Sequence, residues 1–594
     1  MKVGLRTKLE TKLSAATLIF LAVSLVIILP TLIEPVIFPR FLLTLCFSLL
    51  VLHVLPWSHL YRVIRTLSPL EQFGAASPLL FIFILCINLG SSSNLGLAMF
   101  GSFGRNLGFL HYFSICIIFY LGLFLGYSND KFLTKFARLL VFSMILITLL
   151  GILQYFGFRL YSYENPYSPV IATFGNPNYL SQFLALSLPS LFFLAMRYKK
   201  RLTSICISIL VAITLMLNQS LQGPISVIIL VFVVLFFRYR RLFLYGIFSM
   251  VLVLLVTGLI ISRLELNSLG FILREASAGY RIQYLFGAIK ALDRNLWLGG
   301  GIDNFESSYI DVRSKVMAET GVGLTDNAHS FLFQILGTQG IVLGSIMLGF
   351  FTISIYISGK IFKEAGVYQR EFFVALASSI FIISSNFSIE NQPISSIGWL
   401  ALGLLYGSLP TKRLKRIPSI KSGDNDTSWP LRILRALPWV TSLVISALVL
   451  LASTLRLSDY LLLSNASSNK QFTPAMILSA LKAKNSGPIN ELWLPDSRIL
   501  YELSLIGANR EIVAGENLNT SLAVINFTNI LFPKDIRTLD LKAQILKVLG
   551  RKAEAYEVRV MIEGIDPFNP SNNVGLRELQ STLSEEKLGI TYND

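Results

Sequence analysis

Residues 136–156 read "FARLLVFSMILITLLGILQYF", a run in which Arg138 is the one charged residue. A helix of about 20 apolar residues crosses the roughly 30 Å hydrocarbon core of a bilayer. Comparable runs recur along the 594 residues, of which 53% are hydrophobic and 14% are charged, and the mean hydropathy is +0.63. Soluble chains do not have this composition, and spanning helices satisfy their own backbone hydrogen bonds. The sequence therefore predicts an all-α protein, a polytopic transmembrane helical bundle.

About thirteen spans are expected from the lengths of the apolar runs. The predicted spans are 14–35, 41–56, 78–98, 110–127, 136–156, 178–196, 202–218, 224–237, 242–262, 329–357, 371–386, 394–409 and 437–455. The eighth is short, and Gly337 and Gly340 are candidate breaks in the tenth, so the expected number is about 12–13. No small-residue cleavage site accompanies the first run, which predicts a retained signal anchor.

The net charge of +17 suggests a nucleic-acid partner at first, but the distribution of the charges argues against one. The basic residues fall in alternate connections: Arg62 and Arg65; Lys131, Lys135 and Arg138; Arg197, Lys199, Lys200 and Arg201; Arg238, Arg240 and Arg241; Lys360, Lys363 and Arg370; Lys412, Arg413, Lys415, Arg416 and Lys421. The other connections carry few, with Arg40, Arg105 and Arg159 as the main exceptions. This asymmetry follows the positive-inside rule and predicts a cytoplasmic N-terminus. An odd number of spans then puts the C-terminus outside.

The predicted topology divides the chain into two domains. Residues 1–455 form the transmembrane domain, which includes a large outer loop at about 263–328, and residues 456–594 form an extracytoplasmic helical domain. Connections as long as this outer loop are commonly functional. The end of the tail places Ala543, Gly550, Ala555 and Pro567 at the spacing of a tetratricopeptide repeat, although an ordinary helical hairpin has a similar pattern.

Metal and cofactor sites are not indicated by the sequence. The four cysteines all lie in apolar runs, where packing is their expected role: Cys46, Cys86, Cys116 and Cys206. They lack the spacing of metal ligands, and none lies in an outer segment where an oxidising compartment would pair it. We expect neither a metal site nor a cofactor.

Four polar segments lie at the outer ends of predicted spans. They are "TFGNPNYLSQ" (173–182), "LNQSLQGPIS" (217–226), "AGYRIQYLFGAIKALDRNLWLGGGIDNF" (278–305) and "TDNAHSFLFQ" (325–334). Each has a purely structural interpretation. Asn176 and Asn178 suit a helix start, the glycines at 299–301 suit a helix stop, Arg281 suits a solvated loop, and His329 suits a membrane interface.

Together, from about residue 145 to 410, these segments resemble the O-antigen ligase/polymerase superfamily of membrane glycosyltransferases. In that family an Arg precedes a short helix and a Gly-x-Gly turn, as Arg281 precedes "NLWLGGGIDNF". A His then opens the next span, as in "AHSFLFQILGTQGIVLG", and "FGNPNYLSQFLALSLP" resembles an earlier family motif. A tetratricopeptide-like tail also occurs in relatives. The resemblance implies a GT-C-like bundle in the bacterial cytoplasmic (inner) membrane.

The resemblance implies transfer of a glycan from a polyprenyl-pyrophosphate carrier to an acceptor hydroxyl at the outer face, without a metal and with inversion. His329 would be the general base, because imidazole titrates near neutrality. Arg281 would stabilise the leaving pyrophosphate through its guanidinium fork. Asp326 would orient the imidazole if the helix has already begun there.

Further substrate-binding residues follow from a departure from the family pattern. Many relatives carry an Arg in the turn where this chain has Gln222, which can hydrogen-bond a phosphate oxygen but cannot neutralise it. Arg274, Arg294 and Arg313 are therefore candidate helpers at the pyrophosphate. Asn176 and Asn178 are candidate substrate ligands in the earlier motif.

Several alternatives remain open. Within the family, ligases, polysaccharide polymerases and protein O-oligosaccharyltransferases differ in an acceptor that is a lipid, a glycan or a protein. The tail is a candidate surface for a protein acceptor or partner enzyme. A metal-dependent oligosaccharyltransferase would use the outer carboxylates Asp303, Glu306, Asp311 and Glu319. A lipid or glycan transporter (a flippase) usually buries charged residues in its spans, and these spans hold few. An inert membrane part with a structural or receptor tail is a further alternative.

Overall fold

The computed structural model of the chain describes most of the sequence. The described residues are 3–90, 92, 94–128, 130–160, 168–241, 277–293, 295–310, 312–313, 315, 325–409, 429–468, 473–485, 497–516 and 518–587. The α-helices are α1 (Val3–Val26), α2 (Ile37–Val54), α3 (Trp57–Ile64), α4 (Pro69–Gly90), α5 (Leu95–Phe100), α6 (Phe109–Ser128), α7 (Asp130–Tyr155), α8 (Pro177–Tyr198), α9 (Arg201–Asn218), α10 (Gln222–Arg238), α11 (Ser277–Lys290), α12 (Phe305–Ile310), α13 (Phe331–Glu364), α14 (Arg370–Ser385), α15 (Gln392–Ser408), α16 (Trp429–Ser468), α17 (Pro474–Asn485), α18 (Ser497–Ala514), α19 (Asn519–Leu531), α20 (Ile536–Val548), α21 (Lys552–Ile565) and α22 (Pro570–Lys587). These residues contain no strand, so the predicted all-α class is confirmed.

The polytopic bundle is also confirmed. Within the described ranges, nine helices are long and apolar enough to cross a membrane, namely α1, α2, α4, α6, α7, α8, α9, α13 and α16. The shorter helices α10, α14 and α15 occupy three further predicted spans. The predicted span at 242–262 lies outside the described residues. The chain is therefore a multi-pass membrane protein.

Several predicted spans differ in their boundaries from the helices of the structure, and two of these differences have an identifiable cause. The first span ends at Val26 rather than at residue 35, because the chain turns between Pro30 and Pro35, which lack the N–H that a helix needs. The third begins at Pro69 rather than at residue 78. The Ser68 N–H donates to a Glu71 carboxylate oxygen at 2.8 Å, a capping-box contact that starts the helix ahead of the apolar run.

Helix α13 is broken where the sequence predicts a candidate break. Gly340 has φ 80° and ψ 179° inside it, a conformation that an L side chain rarely adopts. The triple-glycine turn packs on this break, since the Gly301 N–H donates to the Thr338 carbonyl at 2.8 Å and the Ile341 N–H donates to the Leu296 carbonyl at 2.9 Å. A Cβ on Gly340 would lie 2.2 Å from the Trp297 carbonyl oxygen. The triple-glycine turn therefore packs against the break in α13.

The centre of the bundle is the contact between α6 and α15. A Cβ on Gly403 of α15 would lie 2.0 Å from the Phe119 carbonyl oxygen of α6, and one on Gly122 of α6 would lie 2.4 Å from the Leu400 carbonyl oxygen. Small residues let helix backbones approach closely in membranes, where van der Waals packing drives association. The close contact of α6 with α15 therefore holds the helices that surround the site.

One end of the bundle, called here the site end, gathers the termini of α1, α2, α7, α8, α9 and α10. Thr173, ahead of α8, donates to the Leu25 carbonyl at 2.6 Å, and its own carbonyl accepts from Arg40 of α2 at 2.7 Å. The amide of Gln154 in α7 donates to the Ala172 carbonyl at 3.0 Å. These bonds hold the loop before α8 in place.

The tail forms helical hairpins that pack against the site end. In the hairpin of α20 and α21, Ala543 and Ala555 are buried, and Gly550 turns the chain with φ 73°. The structure agrees with the helical pattern expected there, and assignment to the tetratricopeptide repeat stays a prediction. Arg498 of α18 and Arg537 of α20 form ion pairs with residues 306 and 326 of the membrane part. The tail is thereby tied to the segments that carry the site.

Candidate active site

His329 lies in the loop immediately before α13. Its φ of 55° is in the left-handed region, which non-glycine residues adopt mostly in special turns. The turn is held by the His329 N–H, which donates to the Asn327 side chain at 2.8 Å, and by the Ala328 N–H, which donates to Gln334 at 2.8 Å. These hydrogen bonds therefore hold His329 in a fixed turn just before the helix.

The imidazole of His329 stacks on Tyr284 of α11, with ring centroids 5.3 Å apart and planes inclined by 20°. Among the described residues, none hydrogen-bonds to either ring nitrogen. Stacking leaves the edge of the ring available to a substrate hydroxyl. The histidine predicted from the sequence is thus oriented by packing.

Arg281 lies one helical turn before Tyr284, on the same helix. Its guanidinium donates to the Phe387 carbonyl, just beyond α14, at 2.9 Å, and no described carboxylate forms an ion pair with it. Burial lowers the pKa of Arg281. A partly buried cation without an anionic partner is suited to bind one.

The electrostatics show that Arg281 and His329 are neighbours. Burial is the largest cause that lowers the pKa of His329, and together with the positive charges of Arg281 and Arg105, against the opposing charge of Asp326, it brings the pKa to about 4. The imidazole is therefore neutral at pH 7 and able to accept a proton. The structure thus brings together the two residues predicted to act.

The predicted role of Asp326 in orienting the imidazole is wrong in its premise. Helix α13 begins at Phe331, so Asp326 is not one turn from His329 on a helix. Its carboxylate is instead bound to Arg105 at 3.1 Å and to Arg498 of the tail at 2.8 Å. Burial acts to raise the pKa of Asp326, but these two arginines outweigh it and hold the pKa well below its usual range. The Asp326 carboxylate therefore forms ion pairs with two arginines, Arg105 and Arg498.

The two asparagines of the earlier motif have structural partners. Asn176 caps α8 by accepting the Asn178 N–H at 2.8 Å. Asn178 accepts the hydroxyl of Ser220, in the turn before α10, at 2.8 Å. The Gly223 N–H donates to Ser181 of α8 at 2.9 Å. These contacts join the starts of α8 and α10, and contact of either asparagine with substrate stays a prediction.

Gln222, the first residue of α10, differs from these asparagines. Its side chain is 4% exposed, yet within the described part of the chain neither its amide nitrogen nor its amide oxygen has a hydrogen-bond partner. Leaving a buried amide unpaired costs about 1–3 kcal/mol. Native proteins rarely keep such a group without a use.

The end of α14 connects these parts of the site. Gln182 of α8 donates to Ser384 at 3.0 Å, and the Ser330 hydroxyl donates to the side chain of Asn386 at 3.2 Å. Arg281 binds the carbonyl of the next residue, Phe387. The segments around 181, 281 and 330 therefore all meet at residues 384–387.

The other predicted arginines are not brought to His329. Arg313 is buried and ion-paired with Asp566 of the tail, so its guanidinium is used in docking the tail, and the pyrophosphate contact stays a prediction. Arg274 and Arg294 lie outside the described residues. Of the predicted cations, Arg281 alone is described next to His329.

The outer carboxylates of the metal-dependent alternative have other partners. Asp303 accepts the Ser102 N–H at 2.7 Å, and burial, the largest cause, raises its pKa to about 6. Glu306 pairs with Arg498 at 2.9 Å and Arg537 at 3.2 Å. Asp311 and Glu319 lie outside the described residues.

Three residues of the site were missed by sequence reasoning. Arg105 also donates to the Tyr179 hydroxyl at 3.2 Å, and its signal was its exception to the positive-inside rule. The buried side chains of His111 and Glu390 form a hydrogen bond, Nε2 to Oε2 3.1 Å, and Glu390 lines a small cavity with Asn327 and Ser330. No local pattern pointed to that pair.

The chain matches a family model described as O-antigen ligase (Wzy_C) over residues 206–348. The matched segment contains Gln222, Arg281 and His329, and it ends within α13. A search of curated proteins finds no match to this chain. The fold is that of a multi-pass membrane protein, and the matched family implies a membrane glycosyltransferase-like enzyme. Over that segment the chain is similar to the O-antigen ligase/polymerase family.

Proposed function

We propose that the protein transfers a glycan from a polyprenyl-pyrophosphate carrier to an acceptor hydroxyl at the outer face of the bacterial cytoplasmic membrane. In this proposal the N-terminus is cytoplasmic and the domain at 456–594 is extracytoplasmic. The observation that carries the proposal is the stacked imidazole of His329 near the guanidinium of Arg281, neither of which has a carboxylate partner among the described residues. An acid–base group next to an anion-binding group is what displacement of a pyrophosphate requires.

His329 is the proposed general base. As the acceptor oxygen attacks the anomeric carbon, the bond from that carbon to the pyrophosphate oxygen breaks. The proton of the acceptor hydroxyl passes to the imidazole. A base with a pKa of about 4 is weak at neutral pH, because efficiency is best when the pKa lies near the working pH.

In the proposed mechanism, binding of the donor raises the pKa of His329. A pyrophosphate next to Arg281 places negative charge beside the cation that lowers the pKa of the imidazole. The effect of Arg281 on the imidazole is then offset, and the pKa of His329 rises. Donor binding thereby strengthens the base at the time it is needed.

The pyrophosphate is proposed to lie between Arg281 and the start of α10. The unpaired amide of Gln222 supports this placement, because a phosphate oxygen would satisfy its N–H donors. The first N–H groups of a helix also favour an anion. Gln222 would supply a neutral donor, so Arg281 is the main source of charge compensation.

The test is a transfer assay in nanodiscs with a labelled polyprenyl-pyrophosphate oligosaccharide and a host membrane extract as the source of acceptors. We expect His329→Ala to reduce transfer by about 10²–10⁴-fold and Arg281→Ala by about 10²–10³-fold. Lys290→Ala, an exposed cation on the same helix as Arg281, is the matched control and keeps wild-type activity.

Transfer that survives in the His329→Ala variant would falsify the assignment of the base. Label that stays on the carrier in the wild type, while lipid-linked glycan crosses the bilayer, would favour a flippase instead. The mass of the product distinguishes a ligase, a polymerase and a protein O-oligosaccharyltransferase.

A further inference from the structure

A cavity of about 560 Å³ lies between the membrane part and the tail. The membrane part lines it with the turn at 299–301 and with Asn94, Asn304 and Ser307, and the tail lines it with Phe532 and Arg537. Pockets for small ligands commonly have volumes of roughly 300–1,000 Å³. The cavity is therefore large enough for sugar rings.

The lining suits a carbohydrate. Asparagine amides, serine hydroxyls and backbone groups offer both donors and acceptors, as sugar hydroxyls need. Phe532 and the adjacent Pro533 offer an apolar surface to the C–H face of a ring. The charged groups largely compensate one another, because Asp326 and Glu306 are paired with arginines. The cavity is thus polar without a strong preference for an anion.

Asp326 connects this cavity to His329. It lines the cavity, it precedes His329 by three residues, and its charge acts on the imidazole. Neither Arg281 nor Gln222 is among the described residues that line the cavity. His329 itself is likewise outside the described lining. The cavity therefore borders the loop that carries the proposed base, without including the proposed pyrophosphate ligands.

In an inverting transfer the acceptor approaches the anomeric carbon from the face opposite the leaving group. We propose that this cavity binds the sugars of a glycan acceptor that adjoin the attacked hydroxyl, and that the tail forms one wall of the acceptor site. This inference rests on the proposed function, and it narrows the acceptor to a molecule that carries sugars.

The test uses full-length protein in nanodiscs and the variant Ser307→Trp. Ser307 is exposed on α12 and lines the cavity, so an indole there fills the space without replacing a core residue. Ser581→Trp, at an exposed position of α22, is the control for the added ring. Phe532→Ala is a second variant that removes the apolar surface and leaves the cavity open.

The probe in the first measurement is the host glycolipid extract, titrated as acceptor against a fixed amount of labelled carrier. Ser307→Trp is expected to raise the half-saturating amount of extract by about tenfold or more, with Phe532→Ala changing it in the same direction. The half-saturating amount of carrier stays within about twofold of the wild type. An unchanged extract titration, or a change in the carrier titration instead, overturns the proposal.

A second measurement separates this proposal from the proposed function. Oligosaccharides released from the extract by mild acid are tested for binding by saturation-transfer NMR, which needs no turnover. Signals that appear with wild type and Ser581→Trp but vanish with Ser307→Trp support the cavity, even if the wild type transfers nothing. Signals that persist unchanged in Ser307→Trp, or that are absent in the wild type, overturn the assignment of the cavity.

Discussion

Arg498 of α18 and Asp326 of the loop before α13 lie 2.8 Å apart, Nη1 to Oδ2. The other terminal nitrogen of Arg498 binds Glu306 at 2.9 Å. One guanidinium thereby joins two carboxylates of the membrane part to the tail, and one of those carboxylates stands three residues from His329. This contact of Arg498 with Asp326 and Glu306, called here the fork, fixes the position of the tail relative to the proposed base.

Arg498→Gln leaves Asp326 with Arg105 alone. Losing a charged hydrogen-bond partner of a partly buried carboxylate costs about 1–3 kcal/mol, so we expect a lower Tm and a transfer rate reduced by about tenfold. Arg551→Gln is the control, since that arginine pairs with Glu554 at the exposed surface. Equal Tm and transfer rate in the two variants would contradict a role for the fork.

Tyr284→Ala tests whether stacking on the Tyr284 ring sets the pKa of the His329 imidazole. Without the tyrosine ring the imidazole is better hydrated, and its pKa rises from about 4 toward the ordinary value near 6.5. Protonation removes the base, so the acid limb of kcat/KM moves to higher pH. In the wild type, the limb of kcat lies above that of kcat/KM because the bound pyrophosphate raises the same pKa.

The pH profiles of transfer check this prediction, with Tyr284→Phe as the control that keeps the ring and removes the hydroxyl. We expect the Phe variant to follow the wild-type limb. An acid limb at the same pH in the Ala variant and the wild type would show that stacking does not set this pKa.

Gln222→Met separates stability from binding. Methionine fills a similar volume and removes the buried amide that lacks a partner in the described structure, so the ligand-free protein is expected to gain about 1–3 kcal/mol. The KM for the carrier rises, because the amide donor to the phosphate is lost. Thermal unfolding and a carrier titration measure the two effects. A variant that is less stable, with an unchanged KM, would assign Gln222 a packing role.

Gly340→Ala tests the break in α13. Its φ of 80° strains an alanine by about 1–3 kcal/mol, and the new Cβ meets the Trp297 carbonyl at 2.2 Å. We expect a lower Tm and loss of transfer, since the glycine turn and the start of α13 lose their register. Gly349→Ala on the same helix is the matched control, because its Cβ approaches only Phe73, at 4.0 Å. Similar Tm values would contradict the prediction.

The fold was predictable from the sequence where its causes are local. Apolar length identifies runs such as 136–156 without reference to neighbours, and a glycine inside an apolar run points to the break at Gly340. The start of α4 was missed because Glu71, which caps it, is charged and falls outside any apolar run. Helix ends set by caps and prolines are therefore less visible than helix interiors.

The site was predictable in part for a similar reason. Arg281 and His329 belong to short motifs, and the structure brings them together. The partners of Asp326 are separated from it by 221 positions for Arg105 and 172 for Arg498, so no window of sequence contains them. The ion pair of Arg313 was likewise not predictable, because its buried partner, Asp566, lies 253 positions away in the tail.

The fork made by Arg498 also bears on how such chains can be recombined. A chimera that joins this membrane part to another tail without an arginine in the place of Arg498 would keep every motif of residues 206–348, yet it would lack the cation that two carboxylates of the membrane part share. The tail is therefore not an interchangeable module, and a successful exchange needs an arginine placed to reach both Asp326 and Glu306.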